Sequence, residues 1–117
     1  MKKILCIEDD PDIGDVIELA LGDLYDLRII TTTKEVMETM KVFVPDLILL
    51  DNYIGTVEAA DVMKEIRTVE QLCTIPFILC SGHVDISSIA ADISATAYLE
   101  KPFDLAELYA SIDRILI

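Results

Sequence analysis

The sequence predicts an α/β fold in which a parallel sheet is buried between layers of helix. Short apolar runs such as Ile4-Leu5-Cys6-Ile7 and Leu47-Ile48-Leu49-Leu50 are continuous rather than alternating. A sheet covered on both faces demands that pattern, whereas a sheet with one wet face alternates apolar and polar residues. Strand-like and helix-like patterns alternate five times, with no linker, repeat or low-complexity stretch between them. That order separates α/β from α+β architectures. Finally, polar clusters stand where apolar runs stop: Glu8-Asp9-Asp10, Asp51 and Lys101-Pro102. In a parallel sheet these positions converge on one edge.

Strands are expected near 3–8, 27–31, 47–51, 76–80 and 97–100, and helices near 11–24, 34–44, 58–68, 85–93 and 104–116. In the first helix Ile13, Val16, Ile17, Ala20, Leu21 and Leu24 form an apolar stripe of period 3.6. Asp10-Pro11 supplies a capping side chain followed by proline at the first helical position. The fourth helix, around Ile86, Ile89, Ala90 and Ile93, is short and rich in small residues. In the last, Leu105, Leu108, Ile112, Ile115 and Leu116 form the stripe, and Asp104 and Glu107 have capping-box spacing. Right-handed crossovers favour the flavodoxin-like (βα)5 arrangement, a doubly wound five-stranded sheet of order 2-1-3-4-5. Ligands of such sheets bind beyond the carboxyl ends of the strands at the switch point, here between the first and third strands. Glu8, Asp9 and Asp51 follow or end those two strands.

The 117 residues fit one domain, and at 53% hydrophobic they can bury a full core. No apolar stretch approaches the roughly 18 residues of a membrane span. Met1-Lys2-Lys3 leads straight into strand-like sequence rather than a signal peptide, so a cytoplasmic location is expected. Three cysteines without metal-ligand spacing argue against a disulfide framework, and Cys6 and Cys80 read as plain buried thiols. Nine basic against 22 acidic residues give a formal charge of −13, which opposes binding to nucleic acid or an anionic membrane.

Carboxylates crowded at one edge repel one another unless a cation neutralises them or some stay protonated. A hard divalent ion such as Mg2+ takes oxygen ligands and suits one or two carboxylates together with phosphate oxygens. An aspartate beside it can act as a nucleophile toward phosphorus, provided positive charge and donors surround the transferred oxygens. Lys101 supplies such a charge and Ser81 a hydroxyl.

From end to end the chain resembles a response-regulator receiver domain of two-component signalling, of the single-domain kind typified by chemotaxis receivers. The segments that carry the resemblance are Ile4-Leu5-Cys6-Ile7-Glu8-Asp9-Asp10, Pro45 to Asp51, Ile75-Pro76-Phe77-Ile78-Leu79-Cys80-Ser81-Gly82 and Ala97-Tyr98-Leu99-Glu100-Lys101-Pro102-Phe103. The resemblance implies that Asp51 is the phosphoacceptor and that Asp9 binds Mg2+ directly, with Glu8 acting through water and Tyr53 offering its backbone carbonyl. It implies that Ser81 is the switch hydroxyl, Lys101 the charge-sensing lysine, Tyr98 the switch aromatic, and the bond before Pro102 cis. The implied phosphodonor is a sensor histidine kinase or a histidine phosphotransfer protein. The implied output is an unidentified downstream protein bound at the face of the fourth helix, fifth strand and fifth helix. One receiver domain over 1–117 without an output domain is expected, as a monomer or weak dimer. A receiver-like binding module that works without phosphorylation is the alternative. Two positions depart from the family pattern: Gly55 stands where a proline is usual, and Ala59 where a glycine is usual.

Overall fold

A computed structural model describes residues 1–116. In chain order the elements are β1 (Lys3–Ile7), α1 (Pro11–Leu21), β2 (Asp26–Ile30), a 3-10 turn (Thr33–Glu35), α2 (Val36–Phe43), β3 (Leu47–Asp51), β4 (Tyr53–Ile54), β5 (Val57–Glu58), α3 (Ala59–Ile66), β6 (Phe77–Ser81), α4 (Ile86–Asp92), β7 (Ala97–Glu100) and α5 (Leu105–Leu116). Five strands form one parallel sheet in the order β2-β1-β3-β6-β7, which is the 2-1-3-4-5 order that the alternation of elements predicts. No helix among the described residues is long and apolar enough to cross a membrane.

The continuous apolar strands feed two cores, because successive side chains of a strand point to opposite faces. Leu5, Ile7, Ile48, Leu50 and Leu79 pack on one side with Met40 of α2, Met63 of α3 and Ile86 of α4. Ile4, Cys6, Leu47, Leu49, Ile78 and Cys80 pack on the other with Ile17 and Leu21 of α1 and Leu108 and Ile112 of α5.

Both helix starts singled out by their capping residues are built as such. Asp10 accepts the N–H of Asp12 at 2.9 Å before Pro11, and Asp104 accepts that of Glu107 at 2.7 Å. The end of α1 differs from the predicted boundary: the helix stops at Leu21 instead of running to 24. After Gly22, the N–H groups of Leu24 and Tyr25 both turn back to the carbonyl of Leu21, leaving Leu24 exposed. Val16 and Leu105 are also about half exposed, so both apolar stripes are narrower than their periodicity implies. The larger departure is the β4–β5 hairpin, which occupies the stretch between β3 and α3 where sequence periodicity shows no strand.

Helix α2 ends in Val44, whose φ of 46° is left-handed although the residue is β-branched. Glycine adopts that conformation without a Cβ penalty. Val44→Gly is expected to raise stability by about 0.5–1 kcal/mol, the relieved strain exceeding the added freedom of the unfolded chain. A urea midpoint equal to or below that of the wild type would contradict this.

Candidate functional site

Strand register assembles the site. Ile7 pairs with Leu50, so Glu8 and Asp51 leave β1 and β3 side by side. Asp51 pairs with Cys80, and Ser81 with Glu100, so Ser81 and Lys101 reach the same edge from β6 and β7. The backbone N–H of Lys101 donates to the Ser81 carbonyl at 2.9 Å, and the Lys101-Pro102 peptide is cis.

The Lys101 ammonium lies 2.7 Å from Glu8 Oε1 and 3.2 Å from Asp51 Oδ1. Among the described residues these are the only salt bridges, although the chain carries 22 acidic and nine basic side chains. Asp51 Oδ1 also accepts the N–H of Asn52 at 2.9 Å. Both bonds end on the same oxygen, and Oδ2 is left open. Glu8 is 2% exposed, and its second oxygen faces the N–H of Asp10 at 3.4 Å. Asp9 is exposed and accepts the N–H of Gly55 at 2.7 Å.

One carboxylate oxygen each from Glu8, Asp9 and Asp51 lies within 4.8 Å of the others. Three carboxylates and one ammonium leave two negative charges unbalanced when all are ionised. Burial pushes the Glu8 carboxyl up to about 7, and Asp51 adds to the shift while Lys101 opposes it. Burial alone would lower Lys101, but its bond to Glu8 and the field of Asp51 outweigh that and leave it raised. Each shift has its own cause, burial for the Glu8 carboxyl and the two acidic neighbours for the Lys101 ammonium. An all-oxygen donor set with excess negative charge fits a hard divalent ion such as Mg2+.

Ser81, Tyr53 and Tyr98, the other residues singled out from the sequence, stand on β6, β4 and β7. Ser81 is buried, and its hydroxyl oxygen accepts the N–H of His83 at 3.0 Å. His83 lies on the surface with Nδ1 accepting the N–H of Asp85, a turn contact at the rim. Tyr53 is about half exposed, and its hydroxyl donates to Glu58 across the hairpin at 3.2 Å. Tyr98 is also about half exposed and lines, with Ser87, Ala91, Ser111 and Arg114, a cavity of about 420 Å³ between α4 and α5. Two participants escape sequence reasoning, the N–H groups of Asn52 and Gly55. Both are backbone donors, and only the departure at Gly55 from the family pattern hints at one of them.

The family profile described as "Response regulator receiver domain" matches residues 4–113. Response regulator ArlR of Staphylococcus saprophyticus is 34% identical over 119 residues, covering 99% of this chain and 53% of that protein. The DNA-binding dual master transcriptional regulator RpaA of Synechocystis is 30% identical, covering 99% of this chain and 49% of that one. The chain thus spans about half the length of the curated relatives it matches. Among solved structures, the receiver domain of sensor histidine kinase PA1611 from Pseudomonas aeruginosa superposes with a TM-score of 0.87 at 26% identity, covering 97% of this chain and 96% of that one. That structure has a magnesium ion coordinated in its active site cleft.

The raised carboxyl of Glu8 has a stability consequence without metal. Its folded value of about 7 lies above the ordinary value of 4.5, so the folded protein binds the proton more tightly than the unfolded chain. Stability from this group is complete below about pH 4.5 and is lost as pH rises to about 7. Glu8→Gln should flatten that decline by about 1–2 kcal/mol. Urea denaturation between pH 5 and pH 8 in EDTA checks this, and parallel profiles for the two proteins would contradict it.

Proposed function

As the chain belongs to the response-regulator receiver family of two-component signalling, we propose that it takes a phosphoryl group from the phosphohistidine of a sensor histidine kinase or phosphotransfer protein onto Asp51. The observation that carries this reading is the asymmetry of the Asp51 carboxylate. Lys101 and the Asn52 N–H both hold Oδ1, which leaves Oδ2 to attack phosphorus. The P–O bond forms as the P–N bond of the donor breaks, and the electron pair stays on the imidazole nitrogen, which then takes a proton. Asp9, Asp51 and the Tyr53 carbonyl, with Glu8 acting through water, would hold Mg2+, and such an ion would supply positive charge near the transferred oxygens.

Lys101 and Ser81 then read the result. A phosphoryl group on Asp51 brings new negative charge within reach of the Lys101 ammonium, which already bridges to that side chain. The Ser81 hydroxyl oxygen is an acceptor here, and its own proton is available to a phosphoryl oxygen. Movement of the β6–α4 loop toward the phosphoryl group would open space that Tyr98 can enter, changing the face formed by α4, β7 and α5 for a downstream protein. The Tyr98 ring is half exposed and lines an open groove between α4 and α5, which leaves it room to move.

Acetyl phosphate with Mg2+ should add one phosphoryl group to the wild type and none to Asp51→Asn, as read by intact mass. Equal labelling of the variant would remove Asp51 from the role. Lys101→Ala should still be labelled, but beryllofluoride should no longer shift the Tyr98 resonances. Shifts equal to those of the wild type would take the transmitting role away from the lysine.

A further inference from the structure

The β4–β5 hairpin closes on the two-residue turn Gly55-Thr56, since Ile54 pairs with Val57 and Tyr53 with Glu58. Such turns require a positive φ at the first central residue, and Gly55 has φ 62°. A Cβ at this position would meet nothing within 4 Å, so backbone conformation rather than space reserves it for glycine or asparagine. Proline fits neither the dihedral nor the donor, because its φ is fixed near −65° and it has no N–H.

That N–H donates to Asp9 Oδ2 at 2.7 Å, joining residues 46 apart in sequence. The hairpin holding it is anchored three ways. Ile54 is buried at 3% exposure, the Ala59 N–H closes onto the Asn52 carbonyl at 2.8 Å, and Tyr53 and Glu58 bond across the strands. The same short segment donates through Asn52 to Asp51 on β3 and through Gly55 to Asp9 after β1. Asp9 is exposed and would otherwise turn freely, whereas Asp51 and Glu8 are already pinned by Lys101.

We propose that Gly55 is a positioning residue for the divalent-cation site: its N–H fixes the Asp9 carboxylate, so hairpin order and cation occupancy are coupled. The inference rests on the metal reading under the proposed function. A donor on Oδ2 leaves Oδ1 to the ion in a set orientation, and loss of such an outer donor typically costs 10–100-fold in metal affinity. Coupling between two binding events is reciprocal, so the cation must also steady the hairpin.

The test uses NMR on the whole chain. Without metal, the Gly55 amide of the wild type should exchange slowly, and Asp9→Ala should release it. Mg2+ titrations should give Gly55→Pro an affinity at least tenfold weaker, about 1.4 kcal/mol. Gly55→Asn, which keeps the N–H and tolerates positive φ, should stay within about threefold. Unshifted amide signals of core residues such as Leu50 identify the variants as folded. Independently of any variant, saturating Mg2+ should slow Gly55 exchange in the wild type at least fivefold. A Gly55 amide that exchanges equally fast in wild type and Asp9→Ala, or is indifferent to Mg2+, overturns the proposal, as does wild-type affinity in Gly55→Pro. Absence of any Mg2+ response in the wild type ends the metal reading and the coupling together. A protected amide with Mg2+ binding unaffected by Gly55→Pro ends the coupling alone.

Discussion

One ammonium shared between two carboxylates is the interaction on which the site depends. Lys101 leaves β7, while Asp51 ends β3, with β6 between them in the sheet. Strands lie about 4.8 Å apart, so the lysine side chain must cross roughly 10 Å of sheet edge, which only a long side chain can do. Glu8 completes the span from β1, and its length lets one nitrogen touch both acids. The ammonium is pinned at its root as well, since the Lys101 N–H is bonded to the Ser81 carbonyl. The contact with Asp51 therefore ties the carboxylate at the end of β3 to the strand at the far edge of the sheet, across β6.

The ground beneath those charges makes them count. Cys6 and Cys80 lie under the site beside Ile17 and Leu49, and both are almost wholly buried. Burial pushes the Cys80 thiol up to about 12 and Cys6 well above its ordinary value, so both stay neutral. Thiolates there would deepen a charge excess that Lys101 covers only in part. A neutral, closely packed floor instead keeps water out on one side and strengthens every electrostatic contact above it.

The sheet and most of the site were legible because both depend on where apolar runs end. Four-residue apolar runs flanked by Glu8-Asp9, Asp51 and Ser81 fix strand identity and strand ends together, and topology brings the ends to one edge. The end of α1 was not legible, because Leu24 continues the stripe in phase, whereas the helix is stopped by the backbone N–H groups of Leu24 and Tyr25 turning back to the Leu21 carbonyl after Gly22. The hairpin was hidden for a different reason. Strands of two residues carry no periodicity, and the contact that ties the turn to Asp9 spans 46 residues. Asn52 contributes through its backbone, which leaves no mark in side-chain chemistry.

The departures at Gly55 and Ala59 make sense as a pair. Replacing proline by glycine at the tip frees the backbone, an entropic loss that contacts must offset. Alanine in place of glycine at 59 acts in the other direction at the base. Ala59 is completely buried at the start of α3, its methyl packs into the same core as Ile54, and its N–H closes the loop onto Asn52. An alanine there has fewer unfolded conformations to lose than a glycine, and the buried methyl adds contact. Stiffness has moved from the tip to the base, and the tip has gained a donor that proline lacks. In this chain the loop after the acidic strand is shaped by hydrogen bonds to the site itself, from the Asn52 N–H to Asp51 and from the Gly55 N–H to Asp9, as well as by covalent geometry.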